Sequence, residues 1–279
     1  MTEPLTIGIS SCPNDTFAFH ALIAGEVRCD GFELDFRIGD VEEQNRALDA
    51  GELSVSKGSF ALAIARSAEL CVLDSGAALG FGVGPVLLGT AEAAPLGADS
   101  RVLAPGAWTT ANLLYRLLHP AANAPQQVVF SEIMPALERG DADYGVCIHE
   151  GRFTYADHGL LLHEDLGASW EARTQSPLPL GGILARKDLG VERLIALSDA
   201  VGRSIDWARE HPEAALVTMR AHAQEQADEV LWKHVELYVN DWTRRLGERG
   251  RGALRALEGE ARAARLLAPD APPLEVIGA

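Results

Sequence analysis

Ile7-Gly8-Ile9-Ser10-Ser11-Cys12-Pro13-Asn14-Asp15-Thr16-Phe17-Ala18-Phe19-His20-Ala21-Leu22 carries an apolar strand into a polar turn and out again as a helix. Pro13 suits the first helical position, where its fixed φ and missing N–H cost nothing, and Asn14, Asp15 and Thr16 place short oxygens around the first turn's free amides. Phe17, Ala18, Ala21 and Leu22 form an apolar stripe at helical spacing that closes at Gly25. A helix that starts directly after a strand aims its unpaired N–H groups and positive dipole end at the sheet edge, where an anion can bind. The same residues also describe an ordinary strand-to-helix turn with no ligand.

Composition sets the outer limits. With 279 residues, 47% of them hydrophobic, the chain can bury a sizeable core as one large α/β domain or two smaller ones. Lys and Arg number 24 against 40 Asp and Glu, a formal charge of −16, and no basic run is present, which excludes general electrostatic binding of nucleic acid. Met1-Thr2-Glu3-Pro4-Leu5 lacks a basic leader and a long apolar core, and no membrane-spanning run follows, so a cytoplasmic protein without a membrane partner is expected. Cys12, Cys29, Cys71 and Cys147 are widely separated without C-x-x-C spacing, which argues against structural zinc and a disulfide framework. Cys12 beside a helix start reads either as a nucleophile or as a small packing residue.

Downstream, Phe32 to Ile38 alternates as a half-buried strand, and Asp40 with Glu43 has capping-box spacing ahead of a helix running from Val41 to Gly51. Leu53 to Ser56 predicts a short strand ending at Lys57-Gly58-Ser59, followed by a small helix, Phe60 to Ala65. A lysine beside glycine and serine at a strand end can bind a carboxylate, and it can equally be a solvated surface lysine. Leu70 to Leu73 reads as a buried strand; Gly80 to Gly89 lacks the order of a nucleotide fingerprint and reads as bends in closely packed strands. Ala91 to Ser100 is a candidate linker.

A second α/β unit follows. Arg101 to Ala104 is a strand, Thr109 and Thr110 open a helix that stops before Pro120, Val128-Val129-Phe130 is the next strand, and Ser131 begins a helix ending at Gly140. Threonines at a helix start donate to anions, and they also cap helices with no ligand present. Leu137 to Phe153 echoes Leu48 to Phe60: helix end, glycine, acidic residue, short strand, polar residue, glycine, phenylalanine. Each half therefore presents a polar group at a strand's C-terminal end, where open α/β sheets bind ligands. In the second half that group is His149, whose imidazole, with an ordinary pKa of about 6.5, is available as a base at neutral pH or as a structural hydrogen-bonder. Trp170 to Pro179 crosses back through a polar stretch to a strand at Leu180 to Ala185, and from Val191 the chain is mainly helical, with breaks near 211–212, 223–227 and 247–252. The expected plan is a discontinuous α/β domain, 1–97 and 179–279, carrying an inserted α/β domain, 98–178, with a ligand cleft between them.

Several separated segments resemble one family in the same order. They are C-P-N-D-T-F-x-F-x-A-L from Cys12 to Leu22, Lys57-Gly58-Ser59, Pro105-Gly106 with Thr109-Thr110-Ala111, Ile148-His149-Glu150 with Arg152-Phe153-Thr154-Tyr155, and Tyr238-Val239-Asn240. Together they resemble the 1,4-dihydroxy-6-naphthoate synthases, enzymes of the futalosine route to menaquinone. The resemblance implies a type II periplasmic-binding-protein-like fold. It also implies a carbon–carbon lyase acting on cyclic dehypoxanthine futalosine as monomer or homodimer, without cofactor or metal. His149 matches the family's general base. Lys57, Ser59, Thr109 and Thr110 match ligand-holding positions, and Gly58, Asn14 and Asp15 complete the expected binding set from the same segments. Ser11 stands where relatives commonly have proline, and His20 where an aromatic is common; a looser turn and an added pocket residue are the expected consequences. The rival readings are a solute-binding protein for a small carboxylate and the sister chorismate dehydratase, which should lack the I-H-E strand end.

Overall fold

β1 (Glu3–Ser10) forms where Leu5, Ile7 and Ile9 alternate inward, and all three are buried. In the computed structural model, which describes residues 2–149, 151–223 and 227–278, Pro13 then opens α1 (Pro13–Ala18), with α2 (His20–Ile23) one residue beyond it. Met1, Glu150 and the middle of the expected 223–227 break lie outside the described residues. The single helix expected through Leu22 is thus divided at Phe19. Residues two apart project from opposite sides of a helix, and the two aromatics here serve different cores: Phe17 packs among helices, Phe19 against the sheet.

The chain continues through β2 (Phe32–Gly39), α3 (Val41–Asp49), β3 (Val55–Ser59), α4 (Phe60–Ala65), β4 (Leu70–Leu73) and β5 (Ala78–Gly80). The Asp40 capping box is present: Oδ1 accepts from the Glu42 and Glu43 amides at 2.8 and 3.4 Å, and Glu43 Oε2 accepts from the Asp40 amide at 3.4 Å. Asp40→Ala is expected to cost about 1 kcal/mol, read from the urea midpoint; an unchanged midpoint would show that the cap contributes nothing. β3 starts later than expected, at Val55, and ends at Ser59.

Next come β6 (Val86–Gly89), β7 (Val102–Ala104), α5 (Thr110–Leu118), β8 (Gln126–Gln127), α6 (Ile133–Glu138), β9 (Tyr144–Cys147), α7 (Gly151–Thr154), β10 (Leu161–Asp165) and α8 (Leu166–Thr174). The expected strand at Val128 to Phe130 is displaced to Gln126–Gln127, and Phe130 opens a 3₁₀ turn, Phe130–Glu132. Val128 packs against the core while Val129 is 60% exposed, so the apolar triplet is not continued as a strand. The stretch from Trp170 expected as a polar crossing begins inside α8, with Asp165 as its N-cap and Trp170 fully buried.

The chain ends with β11 (Leu178–Arg186), α9 (Val191–Glu210), α10 (Pro212–His222), α11 (Asp228–Tyr238), α12 (Asp241–Arg244), α13 (Gly247–Ala263) and β12 (Val276–Ile277). The break expected at 247–252 is instead the start of α13. A Cβ on Gly250 would stand 2.8 Å from the Leu246 side chain, so the glycine admits close packing rather than ending a helix. No described helix is long and apolar enough to cross a membrane.

Two sheets result. The larger has the order β12-β4-β11-β3-β1-β2, with β5 also on β11; the smaller runs β10-β6-β9-β7-β8. The chain divides into one unit made of Met1–Gly80 and Pro179–Ala279 and a second made of Phe81–Leu178. Residues 81–97, placed with the first unit from sequence, belong to the second because β6 pairs with β9 and β10. In the first unit β1 lies between β2 and β3 and is parallel to both; in the second β7 lies between β8 and β9 and is parallel to both. The echoed stretches hold equivalent places, α3 into β3 and α6 into β9, each through a glycine in the left-handed region, Gly51 at φ +75° and Gly140 at φ +73°.

Candidate active site

At the C-terminal ends of β1 and β3 the first unit builds a buried polar network. Asp15, in the first turn of α1, accepts from Ser10 Oγ at 2.5 Å and Asn14 Nδ2 at 2.9 Å, and pairs with Lys57 Nζ at 2.7 Å. Lys57 also donates to the Gly76 carbonyl at 3.1 Å, and both charged residues are buried. The positive end of α1, expected to meet a ligand anion, thus meets the protein's own carboxylate. The Lys57 charge, expected to offset a ligand carboxylate, is balanced by the same group.

Ser59 is held by Asn45 on α3: its amide donates to Oδ1 at 2.8 Å and its hydroxyl accepts from Nδ2 at 3.1 Å. Gly58 packs where a Cβ would stand 2.7 Å from Leu184 Cδ1 and 3.0 Å from Asn45 Oδ1. Ser10 and Asn45 carry no signal in the sequence beyond their place, at a strand end and along the inner face of a capped helix.

In the second unit Thr109 is the N-cap of the nine-residue α5, accepting from the Asn112 amide at 3.2 Å and donating to the Gly106 carbonyl at 2.8 Å. Thr110 follows inside the first turn, also buried. Gln127 ties this turn to β8: its Oε1 accepts from the Gly106 amide and its Nε2 donates to Asn112 Oδ1, both at 3.2 Å. His149 lies just beyond β9 at φ +54°, a left-handed conformation that is strained for a side chain of its size. Its ring meets Phe130 edge to face, centroids 5.0 Å apart. The turn is closed by the Gly151 amide on the Ile148 carbonyl at 3.2 Å and the Arg152 amide on the His149 carbonyl at 3.4 Å. Arg152 is itself anchored, to the Gly84 carbonyl at 3.2 Å and to Asp165 Oδ2 at 2.5 Å. Phe130, read as a strand residue, is thereby a ring neighbour of the candidate base that period-two reasoning could not find. Cys147, at the end of β9, is buried, which pushes its thiol up to about 12 and leaves it protonated at neutral pH. Among the described residues no group of three or more His, Cys, Asp or Glu is placed to hold a metal ion.

Residues 5–263 match the family model described as menaquinone biosynthesis. The chain is 45% identical over 274 residues to the 1,4-dihydroxy-6-naphthoate synthase of Thermus thermophilus, covering 98% of this chain and 100% of that one. It is 42% identical over 281 residues to the enzyme of the same name from Streptomyces coelicolor, covering 96% and 98%. The chain belongs to this family. Its fold is that of the periplasmic binding proteins: the periplasmic aliphatic sulphonate binding protein of Escherichia coli superposes with a TM-score of 0.62 at 14% identity, over 100% of this chain and 95% of that one. Membership makes it an enzyme of menaquinone biosynthesis.

Within this member of the family, Tyr238-Val239-Asn240 is a joint between helices. Asn240 Oδ1 accepts from the Trp242 amide at 2.9 Å, and its Nδ2 donates to the Leu79 carbonyl at 2.9 Å. Ser11 tightens rather than loosens its turn, since its amide donates to the Gly39 carbonyl at 3.2 Å, a bond proline cannot make. His20 packs with helix side chains, Nδ1 2.7 Å from Thr218 Oγ1 and its ring 5.2 Å from Trp207, and desolvation by burial lowers its pKa and favours neutral imidazole.

Proposed function

We propose that the protein is a 1,4-dihydroxy-6-naphthoate synthase that cleaves cyclic dehypoxanthine futalosine, with His149 as general base. The observation that carries this reading is a histidine in a strained turn at the C-terminal end of β9, anchored by Phe130 and Arg152, in a chain at least 42% identical, nearly end to end, to two enzymes of that name. Strain of this kind persists only where surrounding structure imposes it. The imidazole takes a proton from the substrate's carbocyclic ring beside a developing carbonyl. A carbon–carbon bond then breaks, the sugar-derived fragment leaves, and aromatisation of the remaining ring drives the step. Substrate contacts come from Asn14, Lys57, Gly58, Ser59, Thr109 and Thr110. With Asp15 and Lys57 neutralising each other, the amides opening α5 are the better seat for the substrate carboxylate.

Incubating the purified protein with cyclic dehypoxanthine futalosine is expected to give naphthoate absorbance and one equivalent of released fragment. Binding without product would favour the solute-binding reading, which the shared fold by itself allows. Turnover of chorismate in place of the cyclic substrate would move the protein to the sister dehydratase.

A further inference from the structure

The buried ion pair of the first unit does more than fill a core. Lys57 has three N–H donors, of which one goes to Asp15 Oδ1 at 2.7 Å and one to the Gly76 carbonyl at 3.1 Å. Gly76 is itself fixed: its amide donates to the Thr243 carbonyl at 2.7 Å, and at φ +92° a Cβ there would lie 2.5 Å from Ile183 Cγ1. Asp15 is equally committed, receiving Ser10 Oγ, Asn14 Nδ2 and Lys57 Nζ while its amide donates to the Cys12 carbonyl at 3.0 Å. An ammonium only 6% exposed needs fixed acceptors in place of water. The Asp15 carboxylate and the Gly76 carbonyl supply two, and together they set the direction of the third N–H.

We infer that Asp15, expected as a substrate contact, is instead a positioning residue: it holds the Lys57 ammonium aimed so that its third N–H donates to an acceptor oxygen of the substrate. This rests on the reading above that Lys57 touches the substrate. Ser10 is part of the same device, since its hydroxyl donates to Asp15 Oδ2 and accepts from the Cys12 amide at 3.2 Å, tying the end of β1 to the carboxylate.

The test is steady-state kinetics with the cyclic substrate on Asp15→Asn, Asp15→Glu, Lys57→Met and the double variant Asp15→Asn/Lys57→Met, each assayed well below its own melting temperature. Losing one charge-assisted contact is expected to raise KM about tenfold or more in Lys57→Met. Asp15→Asn should raise KM comparably with kcat changed less than about threefold, Asp15→Glu should recover part of the loss, and the double variant should be no worse than Lys57→Met. If Lys57→Met raises KM while Asp15→Asn leaves it at the parent value, the positioning role is wrong and the substrate contact stands. If Lys57→Met itself leaves KM unchanged, the contact is wrong and the positioning role goes with it. If the double variant recovers the parent KM, the pair is only a strut and the inference is overturned.

Discussion

Replacing His149 by asparagine is expected to lower kcat by about 10²–10⁴-fold, the usual contribution of a positioned general base. Asparagine is the informative substitute because His149 sits at φ +54°, where asparagine is tolerated and alanine adds backbone strain. The ring is only partly buried, so the variant should melt close to the parent, and a kinetic loss then reports chemistry rather than unfolding. KM should move far less than kcat, because the base acts in the transition state rather than in ground-state binding. A His149→Asn enzyme that turns over the cyclic substrate at the parent rate would remove the histidine from the mechanism.

Gly181→Ala is the second large effect, and it acts through the backbone. Gly181 on β11 pairs with Ser59 on β3, and a Cβ there would stand 2.5 Å from the Gly58 carbonyl oxygen. Neither group is the flexible end of a side chain, so the strand carrying Lys57, Gly58 and Ser59 must shift. A loss of about 2–3 kcal/mol is expected from overpacking of this kind, seen as a lower melting temperature together with a reduced kcat/KM. Gly259→Ala is the control. It lies exposed in α13 with nothing within 4 Å of the added methyl, and should stabilise by about 0.5–1 kcal/mol through helix propensity. A Gly181→Ala protein as stable and as active as the parent would show that β3 and β11 can part at no cost.

What could be read along the chain were features whose cause is local. The Asp40 capping box, Pro13 at a helix start, the alternation of β2 and the apolar run of β4 each follow from residues within a turn or two of one another. The echo between Leu48 to Phe60 and Leu137 to Phe153 was legible for the same reason, and it located both strand ends. His149 was singled out by its place at one of them.

What could not be read was decided by partners distant in sequence. Whether Lys57 is a solvated lysine or half of a buried pair depends on Asp15, 42 positions earlier and brought beside it because β1 and β3 are neighbours in a parallel sheet. Phe130 looked like a strand residue until β8 proved too short to use it, and its ring met His149 instead. The unit boundary moved to Gly80 and Phe81 because β6 finds its hydrogen-bond partners in β9 and β10 rather than in the strands that precede it. The amino-acid sequence alone determined the α/β alternation, the helix starts at Pro13, Val41 and Thr110 and the candidate base, since dihedral preference and hydrophobic period are properties of neighbouring residues. Only the tertiary structure decided which of the polar groups are already satisfied within the protein, because burial and charge pairing depend on what the fold brings to within about 3 Å.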